Sequence, residues 1–382
     1  MEKLRIMSVF GTRPEAIKMA PLVKELAGRE GIESICCVTA QHREMLDSVL
    51  QVFDLHPQWD LDIMTPRQTL STITSKCLTG MDEAIEALKP DMILVHGDTS
   101  TTFAGALSAF YHKVPVGHVE AGLRTYDKYS PYPEEMNRKL VTAIADLYFC
   151  PTENNRENLR REGITEGVFV TGNTVIDALK TTVRPDYRFA ADELNRLPYG
   201  EKKILLVTCH RRENYGQPME DIMSALAEIA RTHEVEMVYP VHLSPVVQEC
   251  AKKHLGGIPN VHLIPPLAAD EMHNLMARSD LVLTDSGGLQ EEAPSLGKPV
   301  LVLRRETERP EAVTAGTVKL AGVKYEDIVS MAHELLTSPP AYAAMAHAAN
   351  PYGDGKACGR IADAILWHFG RGAKPEDFRA GT

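Results

Sequence analysis

The sequence has no CxxC pair, no long block of lysine and arginine, and no apolar run long enough to cross a bilayer. Each absence closes a class of function. The seven cysteines (Cys36, Cys37, Cys77, Cys150, Cys209, Cys250 and Cys358) are odd in number, and several sit in apolar runs. That is the usage of reduced, buried thiols rather than of a disulfide framework or a zinc site. With a formal net charge of −11 and no cationic block to offset it, binding of nucleic acid through its phosphates is not expected. A membrane helix needs about 20 consecutive apolar residues, so no membrane partner is expected. "MEKLRIMSVFG" runs directly into a strand pattern without a cleavable small-residue signal, and a cytoplasmic location follows as an expectation. Internal repeats and low-complexity segments are missing as well.

What is present is an ordinary globular composition, 44% apolar and 24% charged, over 382 residues, enough for two domains with sizeable cores. Short apolar runs alternate with helical patterns from end to end. The first half offers "LRIMSVF", "SICCVT", "DMILVH", "VPVGHV", "DLYFC" and "VFVT" as strands. The second offers "KILLVTC", "EMVYPV", "VHLI", "DLVLTD", "KPVLVL" and "VKL". Between them lie amphipathic stretches such as "PEAIKMAPLVKELAG", "TTFAGALSAFYH" and "DIMSALAEIARTH". Continuous apolar strands separated by helices mean parallel sheets covered on both faces. The class is α/β, and the strand number points to two doubly wound, Rossmann-like sheets. The polar, proline-interrupted stretch between "TGNT" and "GEKKILLV" marks the boundary. With ligands binding beyond the carboxyl ends of strands, a site in a cleft between the two domains is expected. The final pattern, "GRIADAILWHFG", spaces Ile361, Ile365 and Phe369 to dock on another element.

Five stretches at strand ends carry charge or glycine where chemistry is usually found. In "VFGTRPEAIKMAP", Gly11 permits a tight turn, and Arg13 and Lys18 bring positive charge to a helix N-terminus, a natural anion site. It holds neither GxGxxG nor a Walker A lysine, and a plain capped helix with surface cations fits equally. In "VHGDTSTTFAGAL", Asp98 reads as a helix N-cap or as a functional carboxylate. "HVEAGLRTYDKYSPYPEEMNR" ends an apolar run on Glu120 and then adds further charges, including Glu134. Buried ions are costly unless paired or used, so these are solvated loop charges or they do chemistry. In "LLVTCHRRENYG", His210 beside Arg211 and Arg212 suits phosphate binding or acid–base work, or is a solvated basic loop. "LTDSGGLQEEAPSLGKPVLVLRRETERPE" is the most specific. Ser286, Gly287 and Gly288 let backbone amides approach a phosphate, and a carboxylate just inside the helix that follows, which has Gln290, Glu291 and Glu292 in its first turns, could accept both hydroxyls of a ribose. Acidic residues early in a helix are also simply good helix design.

Taken with "TAQHREMLD", "TGNTVID", "YPVHL" and "NPYGDGKA", these motifs resemble, in order from residue 9 to about residue 357, the bacterial non-hydrolysing UDP-N-acetylglucosamine 2-epimerases. The resemblance implies a fold like that of the GT-B glycosyltransferases, with domains at 1–172 and 173–355 and a last segment, 356–382, returning to the first. It implies a homodimer that needs no metal and no nicotinamide or other cofactor and interconverts UDP-N-acetylglucosamine and UDP-N-acetylmannosamine for cell-surface polysaccharide synthesis. Asp98, Glu120, Glu134 and His210 match its catalytic positions. Arg13, Lys18, Asp98, Glu120, His210, Ser286, Gly287, Gly288, Glu292 and Arg309 match its UDP-sugar contacts. Gln41, Glu44, Arg67, Glu134, Arg211 and His242 match a second, regulatory UDP-N-acetylglucosamine site. Three residues depart from the pattern. Glu44 stands where some members have glutamine, Met272 where a phenylalanine often supports uracil, and Cys209 where a small residue precedes the histidine.

The chemistry implied is demanding, because the hydrogen on carbon 2 is barely acidic. The family expels UDP from carbon 1 while removing that proton, leaving 2-acetamidoglucal, and re-adds UDP after protonation on the other face. That takes acid–base groups on both faces of the sugar and cations on the leaving diphosphate. A hydrolysing 2-epimerase, a GT-B glycosyltransferase and a silent UDP-sugar sensor are the rival readings. The match at "TAQHREMLD" and Arg67 disfavours the first, the density of carboxylates the second, and the intact catalytic positions the third.

Overall fold

A computed structural model describes residues 2–41, 43–65 and 67–381, the side chain of Glu44 excepted. Among these residues thirteen strands form two sheets, every pair of neighbours parallel. The first sheet contains β1 (Leu4–Phe10), β2 (Ile32–Val38), β3 (Trp59–Asp60), β4 (Met92–His96), β5 (Val116–Val119), β6 (Leu147–Cys150) and β7 (Val168–Val170). The second contains β8 (Lys203–Thr208), β9 (Val235–Pro240), β10 (Val261–Ile264), β11 (Leu281–Thr284), β12 (Val300–Val302) and β13 (Val318–Leu320). All twelve sequence-based strands form. β3 has no counterpart among them because it is two residues long, pairing only at Cys37↔Trp59 and Val38↔Asp60, too short to show a period.

The strand orders are β3-β2-β1-β4-β5-β6-β7 and β10-β9-β8-β11-β12-β13. Each reverses direction once, between β1 and β4 and between β8 and β11. At such a switch point the loops leaving two adjacent strands diverge, and a doubly wound sheet offers room for a ligand there. The strands beside each switch are apolar and buried, as in β4, where Met92, Ile93, Leu94 and Val95 are all fully covered. They therefore hold the loops at their ends on a rigid base.

The chain divides into two compact units, Met1–Thr181 with Tyr352–Arg379, and Thr182–Pro351 with Ala380–Thr382. The first unit extends past residue 172 because the helix Thr174–Thr182 is tied into it. Asp177 accepts hydrogen bonds from the amides of Ala357 (3.1 Å) and Cys358 (3.0 Å), and Asn173 donates its amide to Tyr352 (2.6 Å). The last helix, Ala357–His368, lies in this unit. Its fully buried Ile361 and Ile365 join the core built by Met19, Leu22 and Leu26 of the helix Arg13–Ala27. Each buried isoleucine is worth about 1.5–3 kcal/mol against exposure, enough to fix the returning segment. Arg29 adds a 2.8 Å ion pair to Asp363.

Candidate active site

In the first unit the site grows from the loops after β1, β4 and β5, which are neighbours in the sheet. Gly11 follows β1 where a Cβ would stand 2.0 Å from Thr39 Oγ1, so only glycine fits. Glu15 then ties two loops together from a buried position. Its Oε2 accepts from the amides of Gly11 (3.1 Å) and Thr12 (2.8 Å), and its Oε1 from the hydroxyls of Thr99 (2.7 Å) and Thr102 (3.3 Å). Burial pushes its carboxyl pKa up, against those hydrogen bonds. Glu15 is not among the expected site residues, yet it sets the geometry from which Arg13 and Lys18 project. Arg13 is half-buried and has no ion-pair partner among the described residues.

Glu120 directly follows β5 with φ 62°, a left-handed backbone that a residue with a side chain seldom adopts. Its carboxylate is pinned. Lys18 pairs with Oε1, and Asn173 donates its side-chain amide to the same oxygen at 3.0 Å. His96 Nε2, at the end of β4, stands 3.6 Å from Oε2, and a Cβ on Gly97 would come equally close to that oxygen. His96 is itself buried, and burial pushes its pKa down to about 3, so it is neutral at ordinary pH. The cluster of Lys18, His96, Glu120 and Asn173 thus joins two expected site residues to His96, which the sequence reads only as a polar strand-end residue, and to Asn173, which it gives no role.

Asp98 is not the N-cap that the sequence allows as an alternative. Thr99 caps the helix Ser100–Tyr111, accepting from the amide of Thr102, while Asp98 Oδ2 accepts from Arg138 at 2.6 and 2.9 Å. The charges of the 118–138 stretch now separate into two groups. Arg124 clasps Glu162 through two 2.8 Å bonds. Buried Glu135 accepts from the amides of Thr125 (3.1 Å) and Tyr126 (3.0 Å) and from Arg138 (3.2 Å). Those residues build the loop. Glu134, at the first position of the helix Glu134–Ile144, keeps a buried Oε2 with no hydrogen-bond partner among the described residues.

In the second unit the loops after β8 and β11 carry the expected residues. Ser286 precedes the helix Gly287–Ser295 without capping it through its side chain. Around Gly287 the guanidinium groups of Arg309 and Arg211 converge, 3.6 and 4.0 Å from where a Cβ would be. Glu292 lies over Gly288, its Oε1 3.1 Å from that glycine's Cβ position. Arg309 is ion-paired with Glu291, which is buried, so of the adjacent glutamates it is Glu291 that orients the arginine. Gln290 Oε1 accepts from Thr307 at 2.6 Å and holds the same loop.

His210 stacks on His242 with ring centroids 5.2 Å apart and planes 9° from parallel. Burial lowers its pKa from the ordinary histidine value. Of the other expected regulatory positions, Gln41 Oε1 and Arg211 Nε are buried atoms without a hydrogen-bond partner among the described residues, and Arg67 is exposed with φ 60°. The side chain of Glu44 lies outside the described residues. Met272 is half-buried on the helix Ala269–Arg278. Cys209 is buried, and its carbonyl accepts the Tyr239 hydroxyl at 2.6 Å.

A family model described as UDP-N-acetylglucosamine 2-epimerase matches residues 24–366. The chain belongs to that family. It is 57% identical over 381 residues to the UDP-N-acetylglucosamine 2-epimerase of Bacillus subtilis, covering 99% of both chains. Against the enzyme of Escherichia coli K12 it is 53% identical, covering 95% of this chain and 98% of that one. The crystal structure of the Neisseria meningitidis UDP-GlcNAc 2-epimerase bound to UDP-GlcNAc superimposes with a TM-score of 0.85 at 47% identity. That match spans 95% of this chain and 100% of the other. The two doubly wound sheets described above are therefore the fold of UDP-N-acetylglucosamine 2-epimerases.

Among the described residues one group could ligate a metal, Glu220, Cys250 and His254. Its carboxylate is already bonded by Lys253 (2.6 Å) and His254 (2.5 Å). The site loops described above contribute nothing to it. No helix is long and apolar enough to cross a membrane.

Proposed function

We propose that the protein interconverts UDP-N-acetylglucosamine and UDP-N-acetylmannosamine without hydrolysing them, through elimination and re-addition of UDP. The observation that carries this reading is Glu120, a carboxylate held on a strained backbone at a strand end by Lys18 and Asn173. A loop charge has no need of such constraint, whereas an acid–base group must be fixed within hydrogen-bond reach of the proton it moves. Glu134, with an unsatisfied buried oxygen, is the second acid–base candidate, and Asp98 and His210 complete the set.

The chemistry then assigns the remaining groups. Ser286, Gly287 and Gly288 receive the diphosphate on open helix amides, and Arg13, Lys18 and Arg309 neutralise it. Glu292 accepts the ribose hydroxyls. Elimination removes the proton of carbon 2 as UDP leaves carbon 1 and forms 2-acetamidoglucal. Protonation of the opposite face with return of UDP to carbon 1 gives the epimer. No electrons are gained or lost overall, so the route calls for no redox cofactor.

The same proposal extends to a homodimer in the cytoplasm that supplies cell-surface polysaccharide synthesis, and to a second, regulatory UDP-N-acetylglucosamine. The decisive experiment incubates the protein with UDP-N-acetylglucosamine and follows the products by proton NMR. UDP-N-acetylmannosamine is the expected product. Free N-acetylmannosamine with UDP would identify a hydrolysing enzyme, and an unchanged substrate a binding protein.

A further inference from the structure

At the switch point of the second sheet, β8 and β11 lie side by side, with Thr208 opposite Thr284 and their hydroxyls 2.6 Å apart. The loop after β8 carries His210 and Arg211, and the loop after β11 carries Ser286, Gly287 and Gly288. One residue joins them. Asp285, fully buried, accepts at Oδ2 from the amides of His210 and Arg211, both at 2.7 Å, and from the side chain of Asn214 at 3.3 Å. Its other oxygen, Oδ1, is buried, meets no hydrogen bond of good geometry among the described residues and stands 3.4 Å from His210 Nδ1, with the Cys209 thiol, a weak donor, also against the carboxylate.

A buried acceptor left open costs about 1–3 kcal/mol, so the arrangement is unfavourable unless something donates to it. The nearest ring nitrogen is that of His210. We propose that Asp285 is a positioning residue for His210, holding its ring in the Nδ1–H tautomer so that Nε2 is the atom left to exchange a proton with the ligand. A carboxylate behind an imidazole acts in this way wherever one ring nitrogen must work as a base, because the hydrogen bond at one nitrogen decides the state of the other. Three charged or titratable groups bear on the ring: Asp285 just after β11, His242 stacked on its face, and Arg211 beside it. Only the first can accept a proton from Nδ1 while fixed by three other bonds. Because Asp285 also precedes the glycine turn directly, it fixes the histidine relative to the diphosphate position.

This inference rests on the reading of His210 as an acid–base group at the ligand, but its physical content, the tautomer, can be measured without turnover. The intact protein is labelled with nitrogen-15 at its histidines, and long-range proton–nitrogen spectra are recorded near pH 8. The His210 signals are assigned by their loss in His210→Gln. Wild type should carry the proton on Nδ1. In Asp285→Asn the side-chain carbonyl still accepts the two backbone amides, but its NH2 group faces Nδ1, so the proton should move to Nε2. Turnover should fall about a hundredfold, the usual contribution of a positioned acid or base, with UDP affinity near that of wild type. A merely structural aspartate would change stability and leave the tautomer alone. An Nε2–H tautomer in wild type overturns the proposal with no variant needed, and an unchanged Nδ1–H tautomer in Asp285→Asn overturns it as well. Wild-type turnover in His210→Gln would instead remove His210 from the chemistry, a separate result that the tautomer measurement does not touch.

Discussion

His273 Nε2 stands 3.4 Å from Glu292 Oε2, while its Nδ1 shares a 2.7 Å hydrogen bond with the Thr182 hydroxyl. The histidine is buried, so Glu292 is supported from behind and its Oε1 faces the Gly288 turn. If that oxygen receives a ribose, Glu292→Ala should weaken UDP binding by roughly 1–3 kcal/mol, the cost of leaving hydroxyls unpaired. Calorimetry with UDP and 2′-deoxy-UDP checks it, since the penalty should shrink for the deoxynucleotide. Equal affinity of wild type and variant for UDP would take Glu292 out of the pocket.

The first sheet should make the protein sensitive to mild acid. Burial pushes His96 down to about 3 and His118, whose Nε2 bonds the Gly97 carbonyl at 2.7 Å, down to about 4. In the unfolded chain both titrate near 6.5, so between there and pH 4 the unfolded state binds more protons. The stability these two neutral rings contribute is complete above pH 6.5 and is lost as pH falls, at up to about 1.4 kcal/mol per unit for each. Buried Glu15, with its pKa raised, works in the opposite sense, its contribution fading as pH rises from the ordinary carboxylate value through the raised one. Urea unfolding at pH 7 and pH 5 should show the loss, and His118→Gln should flatten it. A midpoint independent of pH over that interval would contradict the burial argument.

Much of this was legible in the chain because strands covered on both faces read as unbroken apolar runs, and the residue after each run is a site position by topology. Glu120, His210 and the Ser286–Gly288 turn stand at or just past those junctions, Lys18 lies on the helix that follows β1, and all are candidates from pattern and resemblance. Asp285 occupies the same kind of position, one residue before the glycine turn. Nothing in the string separates it from an ordinary strand-end aspartate, because its role depends on the amides of residues 74 and 75 positions earlier. Asn173 and His273 are hidden for the same reason, whereas Glu15 is half legible: its T-x-x-E spacing from Thr12 is a capping box, but its bonds to Thr99 and Thr102 arise only in the fold. The neighbouring glutamates 291 and 292 look alike in sequence. Burial and the Arg309 pair distinguish them.

Regulation offers an independent check. Gln41 Oε1, Glu134 Oε2 and Arg211 Nε are buried polar atoms with no hydrogen-bond partner among the described residues, and all three residues match regulatory positions of the resembled family. If UDP-N-acetylglucosamine is an activator held partly by Gln41 and Arg67, reaction from pure UDP-N-acetylmannosamine should begin with a lag. Traces of UDP-N-acetylglucosamine should abolish the lag, and Arg67→Ala should prolong it. A linear onset that responds to neither would leave the second site unsupported.

Glu120 and Glu134 can be told apart from the structural charges around them by what their loss does. Glu135 accepts three hydrogen bonds from its own loop, so Glu135→Gln should lower the melting temperature. Glu120→Gln and Glu134→Gln keep size and much of the hydrogen bonding but cannot move a proton as acid or base. Each should retain a melting temperature near that of wild type while losing about a hundredfold or more in turnover. In deuterated water the wild type should place deuterium at carbon 2 of the epimer, because the proton removed exchanges before another is returned. A variant defective only in re-protonation should release glucal and UDP, which proton NMR resolves from either sugar nucleotide, and one defective in removal should leave substrate unlabelled. Turnover near that of wild type in either variant would return its carboxylate to the class of loop charges. Unfolding of both would make them structural and shift the acid–base case onto Asp98 and His210.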